Sequence, residues 1–392
     1  MKKVIFLKQG NFSHINGQVH AQLVRHFTPE AVQVVDVWSD IVRQSPRFLA
    51  RATLEAARRH GPKALWGTLR LRRYIERTPF YFSELQREIS ARFVPKTNEI
   101  AFTFQTQSMF DGSIPQVPHF VYTDHTHLAN LQYPGFDRST LLPAEWREKE
   151  RQVYRHASLN FTMSQHVGRS MIEDYGVAAE RVACVFAGSN AGTRALPLNN
   201  NHYSNQNILF VGIDWERKGG PLLVRAFAKV QQKYPNARLT IVGPSPSISL
   251  PNCDVLGRLP LAEVAQCYTR ASVFCFPTRA EPFGIAPLEA FMQKIPVIAS
   301  NLGAMPDFIR DGVSGRLIPP DDIDALTHAL AELISNPERC RQFGEAGHAL
   351  VKSRYNWDSV GNTMAAAIRD VCGRSIQTRP NSIIKSDVAK HI

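Results

Sequence analysis

At 392 residues, 44% of them apolar, the chain exceeds one ordinary core and predicts two domains of about 150–200 residues each. Its formal net charge of +12, from 46 basic and 34 acidic residues, calls for an anionic partner: a nucleotide, a phospholipid surface or nucleic acid. Six cysteines without paired spacing, a first apolar run of four residues and no run near the ~18 residues of a span exclude disulfide-stapled, secreted and membrane-spanning classes, and predict a cytoplasmic protein with reduced thiols.

Residues 3–7 read as a first strand. The polar turn Gly10-Asn-Phe-Ser-His-Ile-Asn-Gly17 then leads into a helix predicted over 18–27, and residues 32–37 form a second strand. Residues 46–93 form a helical insertion in which Phe48, Leu54, Leu65, Trp66, Leu69 and Ile75 are interleaved with arginine. From Arg43 to Lys96 thirteen basic residues stand against four glutamates, so this segment holds nine of the twelve net charges. Such a pattern suits a helix lying on an anionic membrane. It suits equally an arginine-coated helical pair that packs its apolar stripe on its own domain. Nucleic acid is the weaker reading, since no recognised binding module accompanies the charge.

Residues 99–104 and 119–123 follow as strands, the second ending in Asp124-His125-Thr126-His127. Two histidines two apart lack the further ligands a metal site needs, so no metal is expected. One of them facing a sugar or phosphate is the functional reading, and a structural role for both is the alternative. Residues 158–163 form a strand, Ser164 caps a helix that stops at Gly176, and residues 181–186 form the next strand. Residues 189–206, rich in Asn, Ser and Thr, read as an interdomain linker. Beyond it come a strand over 207–212, the turn Arg217-Lys218-Gly219-Gly220, and a helix to about 234. Residues 238–242 end in Gly243-Pro244, and residues 253–257 lead past Arg258 into a helix over 261–271.

The most informative stretch spans 272–300. Ser272-Val-Phe-Cys-Phe276 carries no charge, as expected of a strand buried on both faces. Two prolines and a glycine over 277–284 end it, and Pro287 is tolerable only in the first turn of a helix, which therefore begins near Ile285 and runs to about Gln293. Lys294-Ile-Pro-Val-Ile-Ala-Ser300 supplies another strand. A helix N-terminus thus opens at the carboxyl edge of a parallel sheet, where free N–H groups suit a phosphate. Glu281 precedes the helix and Glu289 lies about one turn inside it; both can face one ligand, although an arbitrary pair so spaced is more often solvated.

Glu281-Pro-Phe-Gly-Ile-Ala-Pro-Leu-Glu289 resembles the Glu-x7-Glu signature of the retaining family 4 glycosyltransferases (glycosyl transferases group 1), and the likeness extends over roughly residues 158–360. The resemblance implies a GT-B fold: two doubly wound Rossmann-like α/β domains facing an interdomain cleft. The acceptor-side domain would be 1–188, the nucleotide-sugar domain 207–356, residues 357–374 a helix crossing back from Trp357-Asp358, and 375–392 a tail. The implied reaction moves a sugar from a UDP- or GDP-linked donor to an acceptor hydroxyl with retention. Lys218 would meet the donor diphosphate. Arg217 would stand in for a family arginine whose place here is Ile213. Amides around Phe283, Gly284 and Ile285 would hold phosphate, Glu289 the ribose, Glu281 the donor sugar, and Pro244 and Arg258 the base.

The same resemblance assigns His125 to the sugar or acceptor, with His127 as the fallback, and makes His125, Lys218 and Glu281 the catalytic set. Gly10 and Gly17 would border the donor phosphates or the acceptor, without the family's double glycine. Gly188-Ser189-Asn190 stands where relatives carry glycine and an acidic residue. No cofactor or metal is implied, the nucleotide sugar being a substrate. Asp322-Ile-Asp324 spells the Asp-x-Asp of other, metal-dependent glycosyltransferases but reads as the start of a helix. A saccharide or lipid-linked acceptor is implied, in polysaccharide or glycolipid synthesis on the inner face of the membrane. The competing readings are a hydrolase using both glutamates, a GT-B epimerase or phosphorylase, and a non-catalytic basic binding protein.

Overall fold

The structure, a computed structural model, describes residues 2–12, 14–28, 31–189 and 202–373, with the side chains at 63, 64 and 68–70 left undescribed. Most of the expected linker, Asn190 and the expected tail lie outside the described residues.

Among the described residues, twelve strands form two six-stranded parallel sheets. The first sheet has β1 (Lys3–Lys8), β2 (Val32–Asp36), β3 (Ile100–Thr106), β4 (His119–Thr123), β5 (Leu159–Thr162) and β6 (Val182–Cys184), in the order β2-β1-β3-β4-β5-β6. The second has β7 (Asn207–Val211), β8 (Arg238–Val242), β9 (Cys253–Gly257), β10 (Val273–Phe276), β11 (Val297–Ser300) and β12 (Gly315–Ile318), in the order β12-β11-β10-β7-β8-β9. In each sheet the order reverses direction beside its first strand, as in doubly wound folds, so loops diverge at the carboxyl edge and leave room for a ligand. All four residues of β10 and all four of β11 are buried, which explains their uncharged composition.

The helices are α1 (Ile15–His26), α2 (Pro46–His60), α3 (Thr68–Glu76), α4 (Pro79–Phe93), α5 (Ala144–His156), α6 (Gln165–Glu173), α7 (Gly220–Lys233), α8 (Leu261–Arg270), α9 (Ile285–Met292), α10 (Met305–Phe308), α11 (Ile323–Ile334), α12 (Pro337–Ser353) and α13 (Trp357–Cys372). Three of them start by one device: a polar cap followed by proline. Ser45, Thr78 and Asn336 accept from the N–H groups of Phe48, Tyr81 and Arg339, and Pro46, Pro79 and Pro337 follow them at a position whose N–H needs no partner. Ser164 caps α6 in the expected way, and Gly176 at φ 65° ends that helical segment. Asp322 caps α11, accepting from the N–H groups of Asp324 and Ala325 at 3.0 and 2.9 Å. No helix among the described residues is long and apolar enough to cross a membrane.

Two local expectations change. The first helix begins at Ile15, so Gly17 lies inside its first turn, not before it. Asn16 closes the turn early by donating to the Gly10 carbonyl at 2.7 Å and accepting from Thr106 at 2.6 Å. The basic insertion is three helices, not a pair, because Gly61 and Gly67 both take positive φ and break the helical run between α2 and α3.

Contacts group the described residues into two compact units, one within 1–121, 148–159 and 361–392 and the other within 122–147 and 160–360. The core of the first includes Ile5, Leu7 and Val35 from the sheet together with Phe48, Ala52 and Ala56 of α2 and Tyr81, Leu85 and Ile89 of α4. At ~1.5–3 kcal/mol for each large side chain buried, those contacts hold the insertion on its own unit. The core of the second includes Ile208 and Phe210 of β7, Leu223 and Phe227 of α7, Cys275 of β10 and Leu330 of α11.

Candidate active site

The second sheet presents its β7 and β10 loops side by side. β7 runs into Gly212, and residues 213–219 turn the chain into α7. Gly219 sits at φ 75°, and a Cβ there would lie 1.8 Å from the Pro277 carbonyl oxygen. Gly220 lies against the ring of Trp215, 2.1 Å from where its own Cβ would be. Only glycines allow so close an approach. The N–H of Arg279 and the hydroxyl of Thr278 donate to the Arg217 carbonyl at 2.8 and 3.2 Å, tying the two loops together. Arg217 and Lys218 therefore reach the loop that carries Glu281.

Glu281 is buried. Lys218 Nζ donates to its Oε2, and Arg217 Nη1 lies 3.4 Å from the same oxygen while donating to the Ala280 carbonyl at 2.6 Å. The Lys218 ammonium also rests over the Phe276 ring, 4.5 Å from its centroid. Burial pulls the Lys218 pKa down, and the Glu281 carboxylate opposes that pull. Asp214, at 3.3 Å, shares Arg217. Glu281 and Asp214 together balance the two cations, which an anionic ligand would share with them.

α9 begins immediately beyond. Gly284 precedes it at φ 92°, with the Met305 methyl 2.5 Å from where a Cβ would be. Phe283 is buried against Phe308, ring centroids 5.9 Å apart, and so anchors the loop while its side chain faces core. Ile285 opens the helix, whose first N–H groups have no acceptor within it. Glu289 lies one turn in, with the Tyr268 hydroxyl 3.3 Å from its Oε2 and 3.3 Å from the Ala286 carbonyl. Burial pushes the Glu289 carboxyl up to about 7, against the opposing effect of the Tyr268 bond. Gly303, at φ 55°, comes so near that a Cβ would lie 2.0 Å from the Glu281 carbonyl oxygen.

The segment after β4 adds a second set of polar groups. His125 is half-buried; burial, with His127 and His166 nearby, lowers its pKa to about 3, so the imidazole is neutral. Asp124 is pushed up to about 7 by burial and by the Glu281 charge. His127 is engaged structurally: its Nε2 accepts from the Leu142 N–H at 2.8 Å and its ring lies edge-on to Trp146 at 5.3 Å. Tyr133 is only 5% exposed and its ring leans on His166 at 5.4 Å. Its hydroxyl and His166 Nε2 are buried without a hydrogen-bond partner among the described residues. Burial raises the Tyr133 pKa, as do the charges of Glu281 and Asp124, so the hydroxyl stays protonated beside two carboxylates.

Lys218, Arg217, Glu281, Gly284, Ile285 and Glu289 thus share one sheet edge. Pro244 follows β8, beside β7, and is half-buried. Arg258 follows β9 at the outer edge of the sheet and is exposed. In the first unit, Gly10 (φ 63°) and Gly17 line a cavity of about 370 Å³ with Phe6, Lys8, Asn16 and His20. The Lys8 ammonium there is paired with Asp36 at 2.8 Å. Sequence reasoning passed over Tyr268, Tyr133 and His166. Nothing in their spacing marks them, because each acquires its role from a residue remote in the chain. Asp124 was in view beside His125, but its burial was not.

Residues 199–349 match the family model of glycosyl transferases group 1. Over 181 residues the chain is 30% identical to the D-inositol 3-phosphate glycosyltransferase of Segniliparus rotundus, covering 42% of this chain and 40% of that one. Over 182 residues it is 33% identical to the phosphatidyl-myo-inositol mannosyltransferase of Mycobacterium tuberculosis, covering 43% and 48%. The chain spans about half the length of the curated relatives it matches. Among solved structures, sucrose-phosphate synthase from Thermosynechococcus elongatus superposes with a TM-score of 0.66 at 14% identity, covering 95% of this chain and 99% of that one. Anabaena HepE in complex with UDP and glucose gives 0.64 at 15% identity, covering 94% and 100%. The fold is GT-B.

Proposed function

We propose that this chain, whose residues 199–349 belong to glycosyl transferases group 1, moves a sugar from a nucleotide diphosphate to an acceptor hydroxyl with retention and without a metal. The observation that carries the reading is the delivery of Lys218 and Arg217, by the β7 turn, to the loop that opens the N-terminus of α9. A diphosphate there would meet two cations and the leading N–H groups of a helix. Its negative charge grows as the bond to the sugar breaks, so the same groups bind the transition state more tightly than the substrate.

The remaining roles follow from position and charge. Glu289, one turn inside α9, accepts from ribose hydroxyls, and Glu281 addresses the donor sugar. His125, held neutral, offers the sugar or acceptor a hydrogen bond without competing for the diphosphate as a cation. Relatives that act on inositol phosphate and phosphatidyl-inositol support a polyol or glycolipid acceptor. HepE, solved with UDP and glucose, supports a nucleotide-linked donor.

The test is turnover of UDP- and GDP-linked sugars with polyol and lipid-linked acceptors, with products identified by mass spectrometry and NMR. A glycoside that keeps the donor's anomeric configuration, formed equally with a chelator present, is expected. Free sugar as the main product would establish a hydrolase. An epimerised or phosphorylated sugar would establish the other GT-B chemistries.

A further inference from the structure

The basic insertion divides its apolar side chains between two environments. Phe48, Ala52, Ala56 and Ile75 lie in the core of the first unit. Leu54, Leu65 and Trp66 stay outside, 70%, 51% and 67% exposed. Along α2 the exposed positions include Arg47, Arg51, Leu54 and Arg58, spaced three or four apart and therefore on one face. The turn Pro62–Leu65 packs against α2, and Trp66 follows it directly, ahead of Gly67.

The charges of the segment are equally divided. Glu55 pairs with Arg58 and Arg59, Glu76 with Arg72, and Glu84 with Arg51 and Arg87. Among the described residues, Arg43, Arg47 and Arg73 are exposed and have no carboxylate partner. The segment thus presents a tryptophan and two leucines to solvent beside cations that its own glutamates do not neutralise.

We propose that this surface docks on an anionic phospholipid bilayer. Tryptophan and leucine gain by entering the headgroup–acyl boundary, arginine stems extend along it, and their heads meet lipid phosphate. A nucleic-acid backbone would satisfy the arginines but leave Leu54 and Leu65 in water. A second copy would bring the same excess of positive charge against itself. The bilayer is the occupant that satisfies both halves of the surface. Docking there would also bring the enzyme to a lipid-linked acceptor, but the proposal stands apart from the transferase reading, since binding is measured with neither donor nor acceptor.

The test is co-sedimentation of the full chain with vesicles of phosphatidylcholine alone or mixed with phosphatidylglycerol. Binding to the anionic vesicles only, declining as salt rises, is expected. Replacing Arg43, Arg47 and Arg73 by serine should weaken it by about a hundredfold. The double variant Leu54→Ser/Trp66→Ser should lose roughly tenfold or more, and should also lose the fluorescence quenching that brominated lipid causes in the unsubstituted chain. No pelleting at low salt overturns the proposal, as does pelleting that neither variant changes, or absence of quenching in the unsubstituted chain. An oligonucleotide that displaces the vesicles and binds the double variant undiminished would make the surface a nucleic-acid site instead. A concentration-dependent dimer abolished by the double variant, without vesicle binding, would make it a self-association face.

Discussion

Lys218 and Glu281 form an ion pair between loops 63 residues apart, with side chains only 13% and 10% exposed. Breaking a buried pair leaves an uncompensated charge, so Lys218→Ala should destabilise by about 2–4 kcal/mol, with Arg217 covering part of the loss. The same substitution should weaken nucleoside diphosphate binding. Glu281→Gln acts in the opposite sense on the ligand, because it frees Lys218 and leaves Arg217 paired with Asp214. Calorimetric titration should find diphosphate affinity at least equal to that of the unsubstituted protein, together with a fall in turnover. Loss of affinity in Glu281→Gln would show that Glu281 holds the nucleotide and not the sugar.

Glu289 makes a second, separable prediction. Its folded pKa of about 7 lies above the ordinary glutamate value of 4.5, so the folded state binds more protons than the unfolded chain between those values. Its contribution to stability is therefore fully present at low pH and is lost as pH rises towards 7. Glu289→Gln removes this slope and should raise stability at pH 8 by on the order of 2–3 kcal/mol. Asp124, also pushed up to about 7, has the same sign and leaves a residual slope in the variant. In the proposed role Glu289→Gln also weakens nucleotide binding, by roughly 1–3 kcal/mol. Unfolding curves across pH, paired with titrations, check both; unchanged affinity would remove Glu289 from the ribose.

These variants show which features local sequence could reveal. The uncharged run 272–276 and the prolines at 277, 282 and 287 act on their own backbone, so strand, loop and the start of α9 at Ile285 were legible. Ser164 and Gly176 were legible for the same reason. The start of α1 was not, because Asn16 meets Gly10 and Thr106, the latter 90 residues away. Burial of Glu289 by α8 was likewise hidden: Tyr268 is 21 residues upstream and carries no motif. In the insertion, interleaved arginine and apolar residues looked alike in sequence. Only the folded core separates buried Phe48 from exposed Leu54.

Two glycines should respond oppositely to alanine. Gly303 takes φ 55°, and a Cβ would lie 2.0 Å from the Glu281 carbonyl oxygen. Gly303→Ala should cost about 2–4 kcal/mol and displace Glu281, lowering turnover with it. Gly17 lies within α1, and a Cβ there meets nothing within 4 Å. Gly17→Ala should therefore stabilise by ~0.5–1 kcal/mol. If its turnover nevertheless falls, a ligand occupies the open space beside Gly17. Thermal unfolding and turnover of the two variants separate these effects; a neutral Gly303→Ala would refute the close approach.

Tyr133 supplies the last prediction. Its hydroxyl is buried with no protein partner among the described residues, against His166 and within the influence of Glu281 and Asp124. An unsatisfied buried hydroxyl costs about 1–3 kcal/mol, a cost a ligand oxygen could offset on binding. Tyr133→Phe removes the hydroxyl and keeps the ring contact with His166. The unliganded variant should be as stable as the unsubstituted protein or more so, with a rise in Tm of roughly 2–4 °C for each kcal/mol gained. If the hydroxyl serves the sugar or the acceptor, turnover falls while nucleoside diphosphate affinity holds, since Glu289, Lys218 and Arg217 still bind the nucleotide. Reduced stability with full turnover would mean that the hydroxyl bonds a structural water, and would take Tyr133 out of the site.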